Sequence, residues 1–169
     1  ANLVIKKTED MPDELFSGDS KNHFLGEAYF LRALVYFNIL QNWGNAPYIS
    51  ESIESSTQVI NDDLTPVLIV RTKDTDIAKN VLADVNNAIS KLEYKTSGSS
   101  DWGIRANRGS AEALAGHANI WMNFLAKRDN LSNPEQYVTN AITALESWKD
   151  NGGYSLVNYD SPDARRTLY

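Results

Sequence analysis

The feature that most restricts this chain is the run from Phe24 to Tyr48, FLGEAYFLRALVYFNILQNWGNAPY, a helix-forming segment apolar on nearly every side that stops at Trp43-Gly44 and turns through Pro47. Between Glu27 and Leu40 the strongly polar side chains are Glu27, Arg32 and Asn38. A helix without a wide polar face must be covered by other helices. The run therefore predicts a helix over 24–43, the central rod of an all-α domain. Glu27 and Arg32 sit where an unpaired charge would be costly, so each is expected to meet a partner on another helix.

The rest of the chain supplies the covering elements. Residues 1–23 read as a loose leader with acids at Glu9, Asp10, Asp13, Glu14 and Asp19 and turn formers at Pro12 and Gly18. Nothing there has the alternating acid spacing and central glycine of a calcium loop, and no metal site is assigned to it. Residues 44–74 form a long irregular loop, a kind that is usually functional or well tied down. Within it, Val67-Leu68-Ile69-Val70 reads as a minor strand or an extended segment pinned to the core. A second helix is predicted over 75–94, capped by Thr75, with Ile77, Val81, Val85, Ala88, Ile89 and Leu92 on one buried stripe. A Gly- and Ser-rich connection over 95–109 carries one conspicuous aromatic, Trp102.

A third helix over 110–126 takes Ser110 as its cap, and its Ala111, Ala113, Ala115, Gly116 and Ala118 are small enough to let helices approach closely. The fourth, over 134–150, opens at Asn133-Pro134-Glu135 and buries Tyr137 or Val138, Ala141, Leu145 and Trp148. Asn151-Gly152-Gly153 closes it, and residues 151–169 form a tail. The expected architecture is a set of tetratricopeptide-like helical pairs with long irregular loops, an α-α superhelix. That assignment rests on architecture, because no motif of about 34 residues is copied along the chain.

A search for chemistry returns little. With no cysteine there is no disulfide framework, thiolate site or cysteine nucleophile. His23 and His117 each lack a metal-spaced companion. There is no Gly-x-Ser-x-Gly elbow, Walker loop or dinucleotide fingerprint. The acid pairs Asp62 with Asp63 and Asp74 with Asp76 lie in polar stretches where ordinary ionisation is expected. A formal charge of -6 with scattered cations argues against nucleic acid. No apolar run is long enough to span a membrane, and a chain starting at Ala1 reads as processed or excised. The aromatics are the remaining signal, since sugars stack their apolar faces on rings. Trp121 and Trp148 belong to helix stripes and Trp43 to a helix end, which leaves Trp102 and Tyr48 as the loop aromatics able to meet a ligand.

Five segments, in order, resemble the SusD/RagB family of glycan-binding outer-membrane lipoproteins. Phe24 to Tyr36 is similar to its Glu-Ala-x-Phe-Leu-Arg-Ala-x-x-Tyr core, and Trp43 to Ile49 to its Gly-x-x-Pro-Leu-Ile turn. Ala83-Asp84-Val85 with Ala88 and Leu92 resembles the Asp-Leu-x-x-Ala helix. Arg105 to Leu114 resembles Arg-x-x-x-Gly-Ala-Ala-x-Ala-Leu, and Tyr137 to Tyr154 the Tyr-x-x-Ala helix ending near Gly-x-Tyr-x-Leu. The resemblance implies a non-catalytic protein on the outward face of the outer membrane, without cofactor, that binds an oligosaccharide and partners a SusC-like TonB-dependent transporter. It also implies a lipid anchor, which this chain does not contain, and a longer protein of which 1–169 is the N-terminal helical part, largely scaffold and transporter contact. Glu27, Arg32, Trp43, Gly44, Pro47 and Arg108 are then the structural motif, and Trp102 and Tyr48 the candidate ligand contacts. A peptide-binding tetratricopeptide adaptor is the alternative, and a glycosidase the third reading.

Overall fold

The computed structural model describes residues 1–95, 98–101 and 103–153. Trp102 and the tail beyond Gly153, with the Gly-x-Tyr-x-Leu echo, lie outside the described residues. The architecture is all-α: α1 (Asn2–Asp10), α2 (Ser20–Trp43), α3 (Asp74–Lys91), α4 (Arg108–Arg128) and α5 (Glu135–Asn151) follow one another, each lying against the next as tetratricopeptide-like pairs. Between α2 and α3, β1 (Ala46–Pro47) and β2 (Arg71–Thr72) form a small antiparallel ladder, with Ala46 opposite Thr72 and Pro47 opposite Arg71.

The core follows from the helical period. On α3, Ile77, Val81, Val85 and Ala88 are all at 1% exposure or less, and Met122 of α4 is at 0%. Each large side chain of this set contributes about 1.5–3 kcal/mol by leaving water. Phe37 and Leu40 from α2 and Leu114, Ala118 and Leu125 from α4 complete the cluster. Two glycines set the closest crossings. A Cβ on Gly26 would lie 2.7 Å from Leu92 Cγ, and one on Gly116 2.8 Å from Leu145 Cδ2, so the small residues let α2 meet the end of α3 and α4 meet α5.

The charges inside α2 find partners. Arg32 makes a two-pronged pair with Asp84 of α3, Nε to Oδ2 and Nη2 to Oδ1, both at 2.7 Å. Its remaining donors reach Asn2 Oδ1 and Ser50 O at 3.1 Å each. The guanidinium also lies over the Tyr29 ring, 5.4 Å from its centroid. Glu27 pairs with Arg105, in the connection before α4, and with His23 at 3.5 Å.

Several local expectations need correction. The leader is not loose throughout: α1 forms within it because Ile5 can be buried against Leu25 and Ala28. Lys6 and Lys7 then pair with Glu54 of the long loop. Helix α2 is not covered on every side, since Leu31 and Val35 stay 52% and 54% exposed beside the start of α1. The Val67–Val70 run is not pinned to the core; Leu68 and Val70 are 85% and 73% exposed.

Thr75 does not cap α3 but lies buried in its first turn. The start of that helix is held instead by Asn45, whose Oδ1 accepts from the Asp74 N–H at 2.9 Å. Asp74 in turn binds Arg128, at the far end of α4, at 2.6 and 2.8 Å. On α4 the cap is Asn107, in a reciprocal capping box with Ser110. Asn133 adopts φ 53° and leaves α5 without a side-chain cap.

Candidate functional site

The sequence nominated two ligand aromatics and a set of motif residues, and the structure distributes them. Tyr48 follows β1 and packs its ring 4.5 Å from that of Tyr36, against the main core. Burial pushes its hydroxyl up to about 12. One edge of Tyr48 borders a hollow of about 420 Å³ shared with Ser50, Ser52, Gln58 and Ile69. Trp43 ends α2 at 69% exposure, and Gly44 takes the left-handed φ of 64° that stops the helix. Pro47 belongs to the ladder opposite Arg71. Arg32 ties α2 to α3, whereas Glu27, expected to meet another helix, is paired instead with Arg105 in the connection before α4.

Arg108 lies elsewhere, at the start of α4, and it opens onto a larger space. A groove of about 690 Å³ runs between α3 and α5 and is floored by α4. Its apolar lining comes from Leu82 and Ile89 of α3, Ala115 of α4 and Ala144 of α5. At one end sits a buried carboxylate, Glu112, 2% exposed. It accepts from Tyr94 Oη at 2.7 and 2.8 Å, from Ser147 Oγ at 2.9 Å and from Arg108 Nε at 3.1 Å. Arg108 also stacks over the Tyr94 ring, 5.2 Å from its centroid. Burial, together with the adjoining Glu112 carboxylate, raises the Tyr94 hydroxyl above its ordinary value.

The same groove receives the side chains of Asn86, Asn119 and Asn140, one from each of its three helices. Sequence reasoning missed all three, together with Glu112 and Tyr94. One signal was available: Asn119 interrupts the small apolar stripe of α4 one turn after Ala115, where a polar residue needs a reason to be buried. An apolar floor with a few fixed polar groups is the usual make-up of a small-molecule cleft.

Fold and groove together define a helical-pair scaffold with the make-up of a binding protein. Residues 1–118 match the SusD-like family, described as starch-binding and associating with the outer membrane, and the chain belongs to that family. Similar solved structures include a laminarin-binding SusD-like protein, 25% identical with a TM-score of 0.68, where the match covers 94% of this chain and 30% of that one. A SusD superfamily protein from Bacteroides fragilis is 22% identical with a TM-score of 0.70, over 92% of this chain and 29% of that one. B. fragilis NanU is 24% identical with a TM-score of 0.69, over 92% and 27%. This chain thus spans less than a third of the length of the structures it resembles. No curated protein matches it.

Proposed function

We propose that this chain is the N-terminal helical part of a non-catalytic glycan-binding component of a SusCD-like nutrient-uptake system, serving largely as scaffold and as contact for a SusC-like TonB-dependent transporter. The protein would act on the outward face of the outer membrane, held by a lipid anchor outside this chain. The observation that carries the reading is the match of residues 1–118 to a family described as starch-binding and outer-membrane associated. The laminarin-binding relative supports glycan as the ligand class.

The test is a binding screen of plant, host and microbial polysaccharides against this chain and against the longer polypeptide that carries it. Retention of a polysaccharide by the longer polypeptide is the expected result. Absence of retention across the whole panel by both would overturn the glycan reading.

A further inference from the structure

We infer that the groove between α3 and α5 is itself a binding cleft for a neutral oligosaccharide, so that these helices touch ligand as well as supporting it. The inference rests on the glycan reading and adds a site to it. Its starting point is the set of hydrogen-bonding positions that the fold leaves unused.

Asn119 is 7% exposed and lines the groove. Its Nδ2 is committed to the Ala115 carbonyl at 2.9 Å, while its Oδ1 has no partner among the described residues. That oxygen is not shut off from solvent, so it is an acceptor that a ligand lying in the groove can use. Asn140 shows the complementary pattern. Its Oδ1 accepts from Gln136 at 3.0 Å, and its Nδ2 remains available. Asn86 makes no side-chain hydrogen bond among the described residues and offers both a donor and an acceptor. Arg108 is fixed through Nε by Glu112 and by stacking on Tyr94, which leaves the Nη1 and Nη2 edge free.

Those groups ask for a ligand with many groups that both donate and accept, spread over a body with apolar faces. Sugar rings have that chemistry: hydroxyls for the amides and the guanidinium edge, and C–H faces for Leu82, Ile89 and Ala144. The charge balance selects a neutral sugar over an acidic one. Arg108 is compensated by Glu112 and Lys79 by Asp76 at 3.0 Å, inside a chain of net charge -6. A peptide is the weaker fit, because tetratricopeptide-type grooves for extended chains are built by stacking more repeats than two helical pairs provide.

The experiment is heteronuclear NMR on this chain, with side-chain amides assigned, titrated separately with maltohexaose, laminarihexaose, cellohexaose, xylohexaose and mannohexaose. The expected result is that at least one hexasaccharide shifts the Asn86, Asn119 and Asn140 amides. Asn86→Ala, exposed and unbonded, should then weaken binding by about tenfold with an unchanged melting temperature. Shifts confined to the loop around Tyr48 would overturn the cleft and leave the glycan reading standing. No shift with any of the five sugars would also overturn the cleft, and the polysaccharide screen on the longer polypeptide then decides the glycan reading separately. Groove shifts produced by an unrelated extended peptide, but by none of the sugars, would replace the proposal with the adaptor alternative.

Discussion

The pair between Arg32 and Asp84 joins α2 and α3, the two helices that pack most extensively on one another, and its two halves should not be equally expensive to remove. The side chains are 11% and 5% exposed, so deleting either leaves a charge largely out of water, at a cost of about 3–5 kcal/mol. In Asp84→Leu the stranded guanidinium still reaches Asn2 Oδ1, Ser50 O and the Tyr29 ring. That places the loss near the low end, about 3 kcal/mol. In Arg32→Met the stranded carboxylate has no other hydrogen-bond partner among the described residues, so the loss should approach about 5 kcal/mol. For a chain of this size the melting temperature should fall by about 6–12 °C in the first variant and about 10–20 °C in the second. The double variant replaces the pair with apolar side chains and should return to within about 1–2 kcal/mol of the parent. Urea denaturation followed by circular dichroism measures all three. The reasoning fails if Asp84→Leu is as damaging as Arg32→Met, or if the double variant is no better than the worse single.

Gly116→Ala should destabilise by about 1 kcal/mol, the cost of pushing Leu145 from a 2.8 Å approach exceeding the gain in helix propensity. In a Leu145→Ala background the same substitution should instead stabilise, and thermal melts that show no change of sign would contradict the close-crossing account. The bond from Arg128 holds the Asp74 carboxyl below its ordinary 3.8, so folding stability from this pair is present above that value and is lost as the pH falls below it. Arg128→Ala should lower stability at neutral pH and flatten the acid limb of a stability-versus-pH curve. An unchanged slope there would count against the pair.

The helices from α2 onward were legible because apolar residues recur at the helical period over long stretches. The stripe Ile77, Val81, Val85, Ala88 was read from the sequence and is buried. Helix α1 escaped notice for a physical reason: it is short and polar, and only Ile5 and Thr8 are buried in it, so the anchor that makes it fold lies on α2. The expected caps of α3 and α4 lie two and three residues past the true ones, because Thr75 and Ser110 are adequate cap residues by type. What decides the matter is a tertiary bond from Asn45 in one case and a reciprocal box from Asn107 in the other. The groove was not legible at all, since Asn86, Asn119 and Asn140 are far apart in sequence and only the crossing of three helices brings them to one space. Composition favoured loop aromatics, whereas the fold gathers amides.

The two-residue ladder between β1 and β2 looks slight beside the helices, yet it holds the two ends of the segment from Tyr48 to Val70 side by side. For a flexible segment whose ends are already joined, doubling the length costs only about 0.6 kcal/mol in closure entropy. Tyr48, Ser50 and Glu54 are bound to α1 and α2, but the outer part, residues 55–70, is a cassette. Its content can be lengthened, shortened or exchanged while the register of α2 on α3 stays as it is, and one helical frame can carry many different surfaces at that edge.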